Sequence, residues 1–228
     1  MIPYIKKSNN KAFSLLEMSI SLTVIAMLIA AVLTGQSMKH QAELNQVITD
    51  ISTITSAVKQ FKDTYSNVLP GDLSTATSSL GSTTTNGDGN GYLTNSSEEL
   101  FFWQHLQLAG LISGTYDGAT TGAGGLMATS QKYGYYQAHK SDGGRLNIQV
   151  SKADGGGLFS TKEAYDFDRK YDDGNPGFTD PVTTSATIAA ADGSDASSTA
   201  CVTTSTSPDE YTLSVLNGTP CILYFYLE

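Results

Sequence analysis

The residues able to do chemistry fall in four places. Glu17 is the one charge in a mostly apolar run from Phe13 to Leu33, and no Lys or Arg occurs between Lys11 and Lys39. A carboxylate inside a bilayer costs about 2.5–3.5 kcal/mol on insertion scales, less near an interface, so an acid in such a run marks function by default. In Asn86-Gly87-Asp88-Gly89-Asn90-Gly91-Tyr92, oxygen-bearing residues alternate with glycines. This fits the first half of a calcium loop, with side-chain oxygens from Asn86, Asp88 and Asn90 and a backbone carbonyl from Tyr92. The closing acid of such a loop falls at Ser97, whereas the acids stand at Glu98 and Glu99. An ion-free Gly-Asn-Asp turn therefore fits equally well. Asp172, Asp173 and Asn175 form a second cation candidate in a segment that also reads as a solvated acidic turn. Cys201 and Cys221 are the only cysteines. They read as a disulfide in an exported domain and as two buried thiols in a cytoplasmic one.

Nothing in the spacing points to catalysis. The three histidines, His40, His105 and His139, and the many serines single out no nucleophile–base pair. No Cys-x-x-Cys offers a zinc site. The Gly-rich residues 113–144 contain no Gly-x-Gly-x-x-Gly opening a helix. The expectation is a protein that is not an enzyme and requires no cofactor, calcium being the one candidate ion.

The elements that must position these residues begin with a helix. The run from Phe13 is long enough for a bilayer core of about 30 Å, which needs roughly 20 apolar residues. Beyond Lys39, Leu44, Val47, Ile51, Ile54, Val58, Phe61 and Tyr65 recur at alternating gaps of three and four, one stripe of an amphipathic helix. Leu69-Pro70-Gly71-Asp72 ends the pattern. A single helix over residues 13–65, with 13–34 spanning the membrane, would be roughly 80 Å long. An ordinary secretory signal fits less well, because its apolar core is shorter and its cleavage site follows that core. Here Ala30-Ala31 lies inside the continuing pattern.

The remaining residues, 66–228, read as one globular domain with irregular loops. Residues 71–97 form a polar loop, and Ser96 with Glu99 fits a capping box for a helix ending near Gly110, with the sole Trp, Trp103, in its core face. Arg145 to Val150 reads as a strand, Ser160 or Thr161 caps a helix to Tyr171, and three strands follow over 182–189, 211–216 and 222–227. The last is continuous enough to be central. The fold class is α+β. The basic leader holds Lys6, Lys7 and Lys11, while residues from 66 onward carry 7 basic against 18 acidic side chains. That places the N-terminus in the cytoplasm and disfavours nucleic acid as a partner.

Lys11-Ala12-Phe13-Ser14-Leu15-Leu16-Glu17 resembles the processing site of type IV pilins and type II secretion pseudopilins. In that family a basic leader ends at a small residue, usually Gly and here Ala12, before a run such as Phe-Thr-Leu-Ile-Glu. The resemblance implies a leader over 1–12, cleavage by prepilin peptidase between Ala12 and Phe13, and N-methylation of Phe13. It implies pairing of Glu17 with the amino terminus of a neighbouring subunit; the bland alternative is a carboxylate reaching the headgroups. It further implies a pilin-like fold and other pilin subunits, an inner-membrane assembly platform and a cytoplasmic ATPase as partners. The protein would wait in the inner membrane with its C-terminal domain in the periplasm, then enter a pilus or pseudopilus. The chain lacks the Asp-Pro-Trp-Gly stretch of major type II pseudopilins, which points to a minor or divergent structural subunit. The rival reading is a calcium-dependent adhesin or binding module on an uncleaved anchor.

Overall fold

The computed structural model describes residues 14–93, 96–120, 124–128, 134–140, 144–177, 187–193, 200–203, 210–213, 218 and 220–227. Ala12 and Phe13 lie outside them. The first helix, α1, runs over Leu15–Thr64. Its part up to Glu43 belongs to one unit and its part from Leu44 to a second, which holds the rest of the chain. In the first unit, Leu15–Gly35 is a 21-residue span apolar enough to cross a membrane, with none of it buried. Its hydroxyls do not disturb the helix: Ser19, Ser21, Thr23 and Thr34 each donate to a carbonyl three or four residues back. That satisfies them where lipid offers no partner.

In the second unit the stripe predicted from spacing is the core face of α1. Val47, Ile51, Ile54, Val58 and Phe61 are buried, with Leu44 and Tyr65 packed at its two ends. Each wholly buried side chain of this size contributes about 1.5–3 kcal/mol relative to exposure. The helix stops before Pro70. Ser66 and Asn67 take left-handed φ values of 56° and 65°, and the Asn67 amide donates to Lys62 O at 2.7 Å, closing the last turn.

The polar stretch expected as a loop over 71–97 contains a short helix, α2 (Ala76–Ser79), and runs into α3 (Ser96–Leu108). Trp103 is wholly buried with its ring edge-on to Phe102. Glu99, the acid expected to close a capping box with Ser96, contacts His139 Nδ1 at 2.7 Å. The strands are β1 (Met127–Ala128), β2 (Gly134–His139), β3 (Leu146–Lys152), β4 (Ile188–Asp192), β5 (Val202–Thr203), β6 (Glu210–Tyr211) and β7 (Cys221–Leu227), with helix α4 (Thr161–Tyr171) between β3 and β4. A five-stranded antiparallel sheet has the order β1-β2-β3-β7-β4, and β5-β6 form a separate ribbon.

The expected central position of β7 holds: Ile148 faces Phe225 on one side of it and Ile188 faces Phe225 on the other. β4 starts later than the strand expected over 182–189; residues 182–186 lie outside the described ones. The strand expected over 211–216 is corrected at its start. β6 covers Glu210–Tyr211, and Leu213 is already an exposed turn residue. Strand β2 lies in the Gly-rich middle, where the sequence pattern predicts no strand.

Candidate functional site

Three places hold the residues singled out by chemistry. At the start of α1 the Glu17 carboxylate turns back on its own helix: Oε2 accepts the Ser14 amide at 3.1 Å, and Ser14 Oγ accepts the Leu16 amide. Ser14-x-x-Glu17 thus behaves as a cap on the first turn. The signal for this, a Ser three residues before a Glu at the head of an apolar run, is plain in the sequence.

The second place is the polar loop. Its oxygens are arranged differently from a linear calcium loop. Asn86 Oδ1 accepts the Thr77 amide, and Asn90 Oδ1 accepts the Tyr92 amide. Asp88 is joined by two acids distant in sequence: one carboxylate oxygen each from Asp72, Asp88 and Glu98 lie within 4.8 Å of one another. Neither Asp72 nor Glu98 was in the expected ligand set. Asp72, nearly buried, already receives three backbone amides, from Gly89, Asn90 and Gly91 at 2.7–3.0 Å. Glu98 Oε1 accepts the Asp88 amide. Burial is the main cause pushing both carboxyls above the usual range, and the backbone donors pull the other way.

Two glycines make this crowding possible. A Cβ on Gly71 would sit 2.4 Å from Glu98 O at a φ of +90°, and one on Gly87 would sit 2.4 Å from Gly71 O. His105 fastens the same layer. Its Nδ1 accepts the Gly71 amide and its Nε2 lies 3.1 Å from Thr85 O, which makes Nε2 the protonated nitrogen. Burial lowers its pKa. His105 is therefore a structural clasp between α3 and the loop rather than a base facing a substrate.

The third place is the end of α4. Of the expected trio, Asp172 and Asp173 come together with Asp168 rather than with Asn175, again within 4.8 Å of one another. Asn175 Oδ1 instead accepts the Gly177 amide. Asp172 Oδ2 accepts the Thr187 and Ile188 amides at the head of β4, and Asp173 Oδ1 accepts the Asn175 amide. Asp168 is wholly buried, and its Oδ2 accepts the Tyr211 hydroxyl at 2.8 Å. Burial, with Asp172 and Asp173 adding to it, pushes the Asp168 carboxyl up to about 7. Sequence spacing placed Asp168 on a helix without showing which face is inward. The nearby cysteines form the bridge: Cys201–Cys221, with Cα atoms 5.1 Å apart.

Comparison with known proteins bears on the first place alone. Residues 7–33 match the family description of the prokaryotic N-terminal methylation motif. The chain carries this prepilin-type signature of type IV pilins and pseudopilins. No match is found among curated proteins or solved structures.

Proposed function

We propose, taking the prepilin-type signature at residues 7–33 as premise, that this chain is a structural subunit of a type IV pilus-like or type II secretion pseudopilus filament, and a minor or divergent one. The observation that carries the reading is the register of that signature with the unburied apolar helix over Leu15–Gly35. A surface of that size needs lipid or other apolar helices around it. The membrane covers it in the stored subunit, and copies or sister subunits cover it in the filament. Prepilin peptidase frees Phe13 by cutting after Ala12. Glu17, which closes its own helix start in the single chain, then pairs with the amino terminus of a neighbour, since a paired charge away from water costs far less than a lone one. An inner-membrane platform and a cytoplasmic ATPase drive assembly, and the C-terminal domain lies on the periplasmic side.

Two substitutions separate the helix cap from the charge. Glu17→Gln keeps an oxygen able to accept the Ser14 amide but removes the charge, and Glu17→Ala removes both. Both variants should stay in the membrane and lose filament incorporation at least tenfold by immunoblot of sheared filaments. Normal incorporation of Glu17→Gln would refute the pairing. Mass spectrometry of the N-terminal peptide should find methylated Phe13. A chain beginning at Met1 would move the anchored, calcium-dependent adhesin ahead.

A further inference from the structure

Aromatic and charged side chains meet at one opening in the second unit. Tyr165, Asn175, Pro176, Glu210, Tyr211 and Leu213 line an open surface cavity of about 340 Å³. The Tyr165 and Tyr211 rings stand edge to face, with centroids 5.6 Å apart. Such a pair leaves ring faces that neither ring covers, and the face of an aromatic ring is its electron-rich side. The walls are held in place by the fold. The Tyr211 hydroxyl donates to the buried Asp168, the Pro176 carbonyl accepts the Ala190 amide of β4, and Tyr165 belongs to α4. Walls set in advance spare a ligand the cost of ordering them.

Two independent observations indicate what fills it. The first is charge. Glu210 is exposed, and among the described residues its carboxylate makes no ion pair and no hydrogen bond. Asp172 and Asp173 lie at the same end of α4. Arg169, whose Cβ a side chain on Gly174 would meet at 3.3 Å, sets one positive charge against these three negative ones. Residues 171–228 hold eight acids and no Lys, Arg or His. Aromatic faces and an exposed carboxylate in a negative field are the chemistry that holds an organic cation.

The second observation is exposed apolar surface. Outside α1, the large apolar side chains left exposed among the described residues are Tyr171, at the end of α4, and Leu213, on the cavity wall and 50% exposed. An apolar rim beside an anchoring pocket is the make-up of a protein interface. A second copy is a poor occupant, because residues from 66 onward carry 7 basic against 18 acidic side chains and two such domains repel. We propose that this cavity docks an Arg side chain presented by a different, basic protein chain, with the guanidinium on the Tyr165 ring and its fork on the Glu210 carboxylate. Arg suits the cavity better than Lys, since a guanidinium is planar, stacks on aromatic faces and binds a carboxylate through two parallel N–H bonds. This inference goes beyond the filament reading and does not depend on it.

The test uses the full chain in neutral detergent micelles, titrated with the peptide acetyl-Gly-Arg-Gly-amide and followed by broadening of the peptide's NMR signals. The dissociation constant should be on the order of 1 mM at low salt and should rise with ionic strength. The same peptide with citrulline, equal in shape but uncharged, should bind at least about fivefold more weakly. Tyr165→Leu should weaken the arginine peptide about fivefold, and Glu210→Gln, a change at an exposed carboxylate, about threefold, with the Tm of each variant confirming its fold. Asp63→Asn, at an exposed acid of α1 that does not line the cavity, should change nothing. Equal binding of the citrulline peptide, an equal loss in Asp63→Asn, tighter binding of tetramethylammonium chloride than of the arginine peptide, or no binding up to about 10 mM overturns the proposal. So does self-association in sedimentation that Tyr165→Leu abolishes, which would make a second copy the occupant.

Discussion

Breaking the Cys201–Cys221 bridge should loosen one named segment and leave the sheet standing. Cross-linking residues 20 apart removes chain entropy from the unfolded state worth about 3 kcal/mol. Among the described residues, the Cys201 end is otherwise fastened by single contacts: the Cys201 amide donates to Asp192 Oδ1, the Thr212 amide donates back to Cys201 O, Thr161 Oγ1 donates to Ala200 O, and the Tyr211 hydroxyl donates to Asp168 Oδ2. Cys221, in contrast, is pinned without the bridge. It exchanges backbone hydrogen bonds with Phe159 in both directions, its carbonyl also accepts the Leu158 amide, and it pairs with Asp192 in the sheet. The loss should therefore fall on residues 201–213. Both sulfur positions are wholly buried, so alanine is the better replacement; serine would bury a hydroxyl in need of a partner. For the Cys201→Ala/Cys221→Ala protein the expected fall in Tm is roughly 6–12 °C, at 2–4 °C per kcal/mol for a chain of this size. Thiol reductant on the parent should reproduce it, which separates the cross-link from the small cavity. Limited proteolysis should find new cuts within 202–213 before any in β7. A variant melting within about 2 °C of the parent, with no new cuts there, would refute the argument.

Two further outcomes follow from the layer around the polar loop. His105 is held neutral by burial, so its folded pKa lies below the unfolded value of about 6.5. The stability it confers is complete above that unfolded value and is lost as pH falls through the folded one, at up to about 1.4 kcal/mol per pH unit. The raised carboxyl of Asp168 acts in the opposite sense over about pH 4–7, so the readout is the difference in urea midpoint between parent and His105→Gln from pH 7.5 to pH 5, which should shrink on acidification. Gly71→Ala should cost about 3 kcal/mol or more, because its Cβ meets Glu98 O at 2.4 Å in a left-handed backbone. Chemical denaturation measures it, and a loss under about 1 kcal/mol would mean the turn relaxes freely.

The elements that the sequence made legible are those whose pattern is local. The α1 stripe from Val47 to Phe61 follows from spacing alone, and Ile222 to Leu227 reads as a central strand because both of its faces are apolar. β2 was hidden by its composition. Its inward residues are Gly134, Tyr136 and Ala138 and its outward ones include Tyr135, so burial alternates while hydrophobicity does not. β4 is Ile-Ala-Ala-Ala-Asp, a segment with helical propensity that pairing with β7 holds extended. The acidic clusters show the same limit. Asp72 meets Asp88 and Glu98 only because Gly71 and Gly87 let two turns touch, a contact no linear spacing encodes. Asp168 looks like any acid on a polar helix until the Tyr211 hydroxyl and the Asp172–Asp173 turn close over it.

The place of β7 in the sheet also sets an order of events in time. Strand β7 follows both β3 and β4 in the chain and yet is the strand that both of them pair with. A ribosome delivers α1, the β2–β3 hairpin and α4 first, but the five-stranded sheet cannot join until β7 arrives. Until then one edge of β3 is open. Pairings over such sequence distances form slowly, and open edges invite wrong partners. Completion of this domain is thus a late, single step, and it is the arrival of Cys221 at the head of β7 that brings both halves of the disulfide within reach.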